Sequence, residues 1–472
     1  MQRKTKIVCT IGPASESYQM IEKLARAGMD VARLNFSHGT YEEHAARISN
    51  VRQASAAVGR PLAVLQDLPG PKIRTGKLKV EKVWLQDGAS ITLTSEQILG
   101  DEHRVSVTLP SLPQDVQAGD TIFVNDGTIR LEVQSTEGSE IHCVIAAGGV
   151  LTQMKGINVP GVKLSTQAVT DQDLRHLAFG LQHGIDYVAL SFITNAADIR
   201  RAKDFIASQG AAVPVIAKIE RKEALNNIEE LVAAADGVMV ARGDLGVEVP
   251  LRRVPIEQKR IVAMCNTAGK PVIVATQMLE SMVYSPRPTR AEASDVANAI
   301  LDGADAIMLS EETAAGGFPV QATGTMAGIA IEAADAIPYD AILLQKESNV
   351  LPQADDAISY AAVNIADQLK AKAILAFTTS GGTAMRVSKY RPRCPVLAIT
   401  PREEVLRRLA LVWGLTPYLV TEYRSLEELL RQSSEIVMRL GLAASGDLIV
   451  VTAGVPFGIP GNTSMLKVEH VV

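Results

Sequence analysis

Aromatic residues are scarce: Phe, Trp and Tyr make up 4% of the 472-residue chain. A core of this size must then come largely from Ala, Val, Ile and Leu, which suits parallel strands covered by helices. Cysteine is scarcer still. Cys9, Cys143, Cys265 and Cys394 lie far apart and form no CxxC pair, which excludes a disulfide framework and a Cys-rich zinc site. A reducing cytoplasm is the expected compartment. Neither sign of charge dominates, with 47 Lys+Arg against 52 Asp+Glu and a net charge of −5. That is a poor match for nucleic acid or an acidic membrane, so neither is expected as a partner. Local basic pockets for anions remain open. No run approaches the ~20 apolar residues of a membrane span. The first residues pass straight into a strand-like segment without an h-region or cleavage site. Disorder is excluded by a 47% hydrophobic content with only 21% charged residues. Also missing are a Walker A sequence, a protein-kinase Gly-rich loop and a dinucleotide fingerprint.

What is present is a rhythm. Short apolar runs rich in β-branched residues recur at 5–11, 31–36, 62–67, 187–192, 215–219, 238–241, 272–275 and 307–309. Segments with helical spacing lie between most of them, among them 18–27 and 224–234. Such alternation means βαβ units and a parallel sheet, and eight units are the count of a closed (β/α)8 TIM barrel. One interval breaks the pattern. Between the third and fourth runs, short strand-like segments (83–85, 90–94, 121–124, 130–133, 141–145) are separated by Gly, Asp and Asn. They predict a small all-β domain inserted after strand three, hinged at Gly70-Pro71 and near 158–161. After the eighth run a helix at 322–335 and a polar stretch at 345–355 lead into a C-terminal α/β domain. Its strands are expected at 373–378, 396–400, 418–420, 448–452 and 465–468. The expected division is a catalytic barrel at 1–70 and 168–345, a β-barrel lid at 71–167 and an effector-binding α/β domain at 346–472.

In such barrels chemistry gathers at the C-terminal ends of the strands. Here those ends carry Arg33, Asn35, Ser37 and His38 after strand two, then Asp67 and Arg74 after strand three. Ser191 follows strand four, Lys218 and Glu220 strand five, Arg242 to Asp244 strand six, and Thr276 strand seven. Lys218 and Glu220 are two apart on a strand and share a face. They either form a buried salt bridge, or hold a metal ion on Glu220 and an anion on Lys218. Asp244 closes the adjacent strand, and two carboxylates on neighbouring strand ends make a half-filled octahedral site suited to Mg²⁺, or Mn²⁺. Arg33, Arg74 and Lys218 bring cations to the same rim, and Arg suits bidentate phosphate recognition. These are the parts of phosphoryl transfer. Asp126 and Lys155 of the insert would reach a nucleotide when that domain closes.

Six motifs carry a family resemblance. They are RLNFSHG at 33–39, GPKIRTG at 70–76, KIE at 218–220, MVARGDLGVE at 239–248, ATQMLESM at 275–282 and PRPTRAE at 286–292. In order and spacing the chain resembles the pyruvate kinases over nearly its whole length. The resemblance implies conversion of phosphoenolpyruvate and ADP into pyruvate and ATP, the last step of glycolysis. It implies Mg²⁺ on Glu220 and Asp244, and substrate held by Arg33, Ser191, Lys218, Gly243, Asp244 and Thr276. Lys218 would stabilise the phosphoryl group and enolate, with Arg33 beside the phosphate and Thr276 positioning a proton-delivering water. Asn35, His38, Arg74 and Lys155 would lie on the nucleotide side. A homotetramer is implied, with 286–292 near a subunit contact.

One departure stands out. Many members hold K⁺ at positions matching Asn35, Ser37 and Asp67 and a following Thr, and carry Glu in the Gly-Pro-Glu-Ile-Arg motif. Here Leu68 takes the Thr place and Lys72 the Glu place. A Lys72 ammonium in place of the ion predicts that K⁺ is not required; the alternative is a surface Lys72 with K⁺ still bound. In the third domain, Thr378, Thr379, Ser380, Gly381, Gly382 and Thr383 end a strand and open a helix, which suits a phosphate cradle. The resemblance makes this the site of a phosphorylated allosteric effector. The covering loop 453–462 has no Arg or Lys, which favours a monophosphate (sugar phosphate or AMP) over a bisphosphate. His44, His103, His142, His176, His183 and His470 read as surface or packing residues, Cys9 as core, and Trp84 and Trp413 as packing. Two other readings stay open: an Mg²⁺-dependent (β/α)8 aldolase or lyase acting on pyruvate enolate, and a catalytically silent effector-binding homologue.

Overall fold

The computed structural model describes residues 3–125, 127–421, 425–456 and 462–472. Eight parallel strands close a barrel: Lys6–Thr10, Val31–Asn35, Ala63–Leu68, Tyr187–Leu190, Val215–Ile219, Gly237–Ala241, Val272–Ala275 and Ala306–Leu309. The first pairs with the eighth as well as the second, so no edge is left. All eight lie where the β-branched runs predict them. Their pleat sorts residues into two layers. Val8, Val31, Leu65, Ala189, Ile216, Met239 and Ile273 fill the barrel interior. Ile7, Ala32, Val64, Val188, Ala217, Val240 and Val274 face the helices. Small and β-branched side chains fill both layers, as the low aromatic content requires.

Several helices begin at side-chain caps. Thr40, Thr170, Asn195 and Thr289 each form a reciprocal capping box with the acid three residues on. The helix expected at 224–234 is instead two pieces, Lys222–Asn226 and Ile228–Ala234. At the break, Asn227 donates from Nδ2 to the Thr194 carbonyl of another loop at 2.8 Å.

The chain leaves the barrel after the third strand and builds a six-stranded and a two-stranded sheet before helix Asp171–Gln182. These sheets have a hydrophobic cluster of their own, with Ile91, Leu93, Leu131 and Ile141. Strand Ile129–Glu137 runs longer than expected because its outward positions are polar and exposed. Strands Arg104–Ser106 and Gly149–Thr152 were not expected at all. Trp84, expected to pack, is 67% exposed.

Of the stretch 345–355 expected as a linker, residues 348–353 lie between helices, and its two ends belong to helices Tyr339–Glu347 and Ala354–Gln368. They precede a five-stranded sheet in the order Leu415–Leu419, Val396–Thr400, Ile374–Phe377, Leu448–Ala453, Met465–His470, the last strand antiparallel. This unit seals the N-terminal mouth of the barrel: Ala410 and Leu411 join the interior cluster. Arg391 pairs with Asp305 at 2.9 Å and Arg407 with Asp186 at 2.8 Å across the same junction. All four cysteines are free. Among the described residues no helix is long and apolar enough to cross a membrane.

Candidate active site

The pleat that puts Val31, Leu65, Ala189 and Ile216 inside the barrel puts Arg33, Asp67, Ser191 and Lys218 inside it one step further on. There they form one chain of contacts. Arg33 Nε donates to Asp67 Oδ2 at 2.7 Å. Asp67 Oδ1 lies 3.1 Å from Lys218 Nζ. Lys218 Nζ lies 2.8 Å from Glu220 Oε1 and donates to Ser191 Oγ at 2.6 Å. The second oxygen of Glu220 accepts the Phe192 N–H at 2.7 Å. Of the two readings of the Lys218–Glu220 spacing, the structure shows the buried salt bridge, placed at the barrel mouth.

The charges explain why the arrangement holds. Burial alone would discharge Lys218, but Asp67 and Glu220 outweigh it and raise its pKa, so the ammonium stays charged. Asp67 is held below the usual carboxylate range; burial opposes its charge, and Lys218 and Arg33 overcome that. Glu220 is pushed upward, first by burial and then by the nearby charge of Asp244, against the pull of Lys218. Two carboxylates crowded together in this way fit a divalent cation, which would relieve their repulsion. Among the described residues no group of three or more His, Cys, Asp or Glu gathers as a metal cluster. Substrate oxygens and water would have to complete the shell.

Asp244 lies in the first turn of helix Arg242–Glu248. Thr276 Oγ1 accepts the Gly243 N–H at 2.8 Å. Thr276 has φ +72° and Phe192 φ +55°, left-handed values that are outliers for β-branched or bulky residues. Arg242 supports the Thr276 turn. It donates to the Thr276 carbonyl at 2.8 Å and is itself fixed by Asp295 at 2.7 Å. No local pattern singles out Arg242 from its motif neighbours.

The residues expected on the nucleotide side also converge. Arg74 NH1 donates to the Met154 carbonyl at 3.1 Å, and Thr75 and Lys155 exchange bonds at 2.8 and 2.9 Å. His38 has its pKa lowered by burial and then by Arg74, Lys72 and Arg33, which places it against this cationic group. Asn35 Oδ1 accepts the Ser37 N–H at 3.1 Å. Asp126 lies outside the described residues.

Two histidines expected as surface or packing residues do pack, from helices Tyr41–Val58 and Asp171–Gln182 onto the loop after strand two. His44 is buried, stacks on Phe36 with ring centroids 3.9 Å apart, and shares a hydrogen bond with the His38 carbonyl at 2.9 Å. His176 meets the same Phe36 edge-on at 5.4 Å. A helical side chain pointing back at a preceding loop leaves no local pattern in sequence. Cys9 and Trp413 are buried, as expected.

The model "Pyruvate kinase, barrel domain" matches residues 2–323, and "Pyruvate kinase, alpha/beta domain" matches 356–469. This chain belongs to the pyruvate kinase family. It is 47% identical to the pyruvate kinase of Geobacillus stearothermophilus over its whole length, covering 81% of that protein. It is 44% identical to that of Clostridium acetobutylicum, covering 99% of this chain and 100% of the other. A solved pyruvate kinase from Cryptosporidium parvum superposes with a TM-score of 0.94 at 36% identity, covering 100% of this chain and 96% of that one. The chain is thus a pyruvate kinase, an enzyme of glycolysis, in a family that is generally Mg²⁺-dependent.

In the C-terminal unit of this pyruvate kinase, Gly381 (φ +95°) turns the chain into helix Gly382–Lys389, and its N–H donates to Thr378 Oγ1 at 2.8 Å. Thr383 and Thr463 hydroxyls lie 2.6 Å apart. Thr379 and Ser380 sit between these anchors at the helix start. Residues 457–461 of the expected covering loop lie outside the described residues.

Proposed function

We propose that the Arg33–Asp67–Lys218–Glu220 chain, with Asp244 and Thr276, transfers the phosphoryl group of phosphoenolpyruvate to ADP. The observation that carries this reading is the charged Lys218 Nζ, held between two carboxylates at the barrel mouth. Phosphoenolpyruvate would lie over this rim, its phosphate facing Arg33 and Lys218 and its carboxylate facing the helix start at Gly243 and Asp244. The bond from the enol oxygen to phosphorus breaks and one to the ADP β-phosphate oxygen forms. The electron pair left on the enol oxygen is stabilised by the fixed Lys218 ammonium, and the enolate carbon then takes a proton from water positioned by Thr276. Mg²⁺ held by Glu220 and Asp244 would draw charge from the phosphoryl oxygens. Asn35, His38, Arg74 and Lys155 face the nucleotide.

Three finer readings belong with this one. The enzyme needs no K⁺: both oxygens of Asp67 already meet cations, and Lys72, an exposed residue close enough to His38 to help lower its pKa, adds positive charge to the same rim. The segment Thr378–Thr383 holds the phosphate of a sugar monophosphate or AMP. Copies assemble as a homotetramer; exposed Tyr284, just before segment 286–292, and the exposed Leu251 and Ile256 are apolar positions that such contacts would cover. We also assign the barrel, lid and effector units to 1–70 with 168–345, 71–167 and 346–472, and place the enzyme in the cytoplasm.

A lactate dehydrogenase-coupled assay with phosphoenolpyruvate, ADP and Mg²⁺ tests the activity. Pyruvate formation that needs ADP supports it, and no turnover with both substrates saturating contradicts it. Repeating the assay in tetramethylammonium buffer with and without KCl tests the cation reading. Activation of tenfold or more by K⁺ contradicts it.

A further inference from the structure

Strand Val31–Asn35 runs into the loop that carries Ser37 and His38, where residues 36–40 belong to neither strand nor helix. The first half of this loop is tied to the barrel. The Phe36 N–H donates to the Asp67 carbonyl at 3.0 Å, and the Ser37 N–H to Asn35 Oδ1 at 3.1 Å. The second half rests on helix Tyr41–Val58. Gly39 (φ +86°) approaches so closely that a Cβ there would lie 2.9 Å from the Glu43 carboxylate and 3.0 Å from the Arg47 guanidinium. The His38 carbonyl meets His44 Nε2 at 2.9 Å. A carbonyl only accepts, so Nε2 carries the proton. Burial favours the neutral ring, which leaves Nδ1 without a hydrogen. Nδ1 is buried and has no partner among the described residues. The ring lies within 6° of parallel to Phe36.

We infer that His44 is a positioning residue for the nucleotide: its Nε2–H fixes the His38 carbonyl, and with it the loop that presents His38 to ADP. The inference rests on the reading of Asn35 and His38 as nucleotide-side residues. Packing alone does not require a histidine at this position. A phenyl ring would fill the same space, pack on Phe36 as an aromatic pair and leave no buried nitrogen unpaired. What the imidazole adds is one donor aimed at the backbone of the loop. That donor stands on a stiff support. The helix runs for 18 residues from a capping box of Thr40 and Glu43, and Arg47 ties it to Glu16 of the preceding barrel loop at 2.6 Å. A segment without regular structure thus takes its shape from a helix that has it. The reach of this bond is short. Arg33 and Lys218, the cations assigned to the phosphate of phosphoenolpyruvate, are held by Asp67 instead. Loss of the His44 bond should therefore be felt by ADP and not by phosphoenolpyruvate.

Steady-state kinetics on the full chain, with ADP and phosphoenolpyruvate varied in turn, test this beside unfolding temperatures. Three variants are compared with the unsubstituted enzyme. His44→Phe keeps the stack and loses the donor. His44→Gln keeps a donor of the same reach and loses the stack. His38→Ala removes the side chain that the loop presents. His44→Phe should raise KM for ADP fivefold or more, with kcat and KM for phosphoenolpyruvate within twofold and the unfolding temperature unchanged or higher. His44→Gln should unfold at a lower temperature yet keep KM for ADP within twofold. His38→Ala should raise KM for ADP. A KM for ADP that is normal in His44→Phe and raised in His44→Gln would follow packing and overturn the proposal. Equal rises in both KM values for His44→Phe would overturn it too. A raised KM for ADP in His38→Ala beside a normal one in His44→Phe overturns the positioning role and leaves the nucleotide-side reading standing. An unchanged KM for ADP in His38→Ala overturns that reading, and the proposal with it.

Discussion

Asp67 and Lys218 face each other across the barrel mouth, 3.1 Å apart and both buried. Asp67 also holds Arg33, so a single carboxylate fixes two of the cations assigned to the substrate phosphate. Replacing Asp67 by Asn keeps the shape and removes the charge. Breaking a buried pair on one side costs about 3–5 kcal/mol, so Asp67→Asn should lower stability on that scale and also lower kcat/KM for phosphoenolpyruvate. Denaturant unfolding read beside steady-state kinetics checks this. Unchanged values for both would remove Asp67 from the account.

Thr276→Val should strand the Gly243 N–H, which now donates to the Thr276 hydroxyl. An unsatisfied donor costs about 1–3 kcal/mol when fully buried and this one is part-buried, so KM for phosphoenolpyruvate should rise several-fold, while Thr276→Ser stays near the starting value. Equal effects of Val and Ser would assign the role to the Thr276 backbone turn instead.

How much of this was legible in the sequence differs by residue. Every barrel strand was, because β-branched runs buried on both faces have no other use. The rim acids and cations followed from period two along each strand. The bond from Asn227 to the Thr194 carbonyl was not, since its acceptor lies in another loop. Strand Ile157–Asn158 is too short to leave a pattern. The linking role of Asp67 needs strands two, three and five brought to one mouth, a fact of closure and not of local sequence. Arg242 and Arg221 act on backbone carbonyls distant in the chain, which no motif spacing encodes.

Arg221 supplies a third prediction. It follows Glu220 directly and donates from its guanidinium to the Val162 carbonyl at 2.8 Å, where the insert returns to the barrel. Glu248 lies 4.0 Å from it, its carboxyl pushed up to about 7 by burial despite the pull of Arg221. Arg221→Ala should loosen that return segment. Amide exchange should quicken over residues 157–162, and KM for ADP should rise more than KM for phosphoenolpyruvate. Exchange rates that do not move would show that Arg221 is no latch.

The buried His44 predicts a pH dependence. Burial lowers its pKa to about 4 from the ordinary 6.5, and Arg47 adds to this against the pull of the His38 carbonyl. The unfolded chain therefore binds this proton more readily than the folded one. Stability from neutral His44 is present above about pH 6.5 and is lost as pH falls towards 4. His44→Gln should flatten the slope of unfolding free energy against pH in that window. An identical slope in the variant would place the titration elsewhere.

Lys72→Glu should restore the residue that accompanies K⁺ use in other pyruvate kinases. The variant should lose activity in tetramethylammonium buffer and regain part of it on addition of KCl. A variant fully active without K⁺ would show that Lys72 does not substitute for the ion.

The central claim is that the Lys218 ammonium stabilises charge during phosphoryl transfer, and Lys218→Met tests it most directly. Single-turnover and steady-state rates with phosphoenolpyruvate, ADP and Mg²⁺ should fall by about 10²–10³ in kcat or more, the scale for losing a main transition-state stabiliser, with the fold intact by circular dichroism. A folded Lys218→Met enzyme with near-normal kcat would contradict the account.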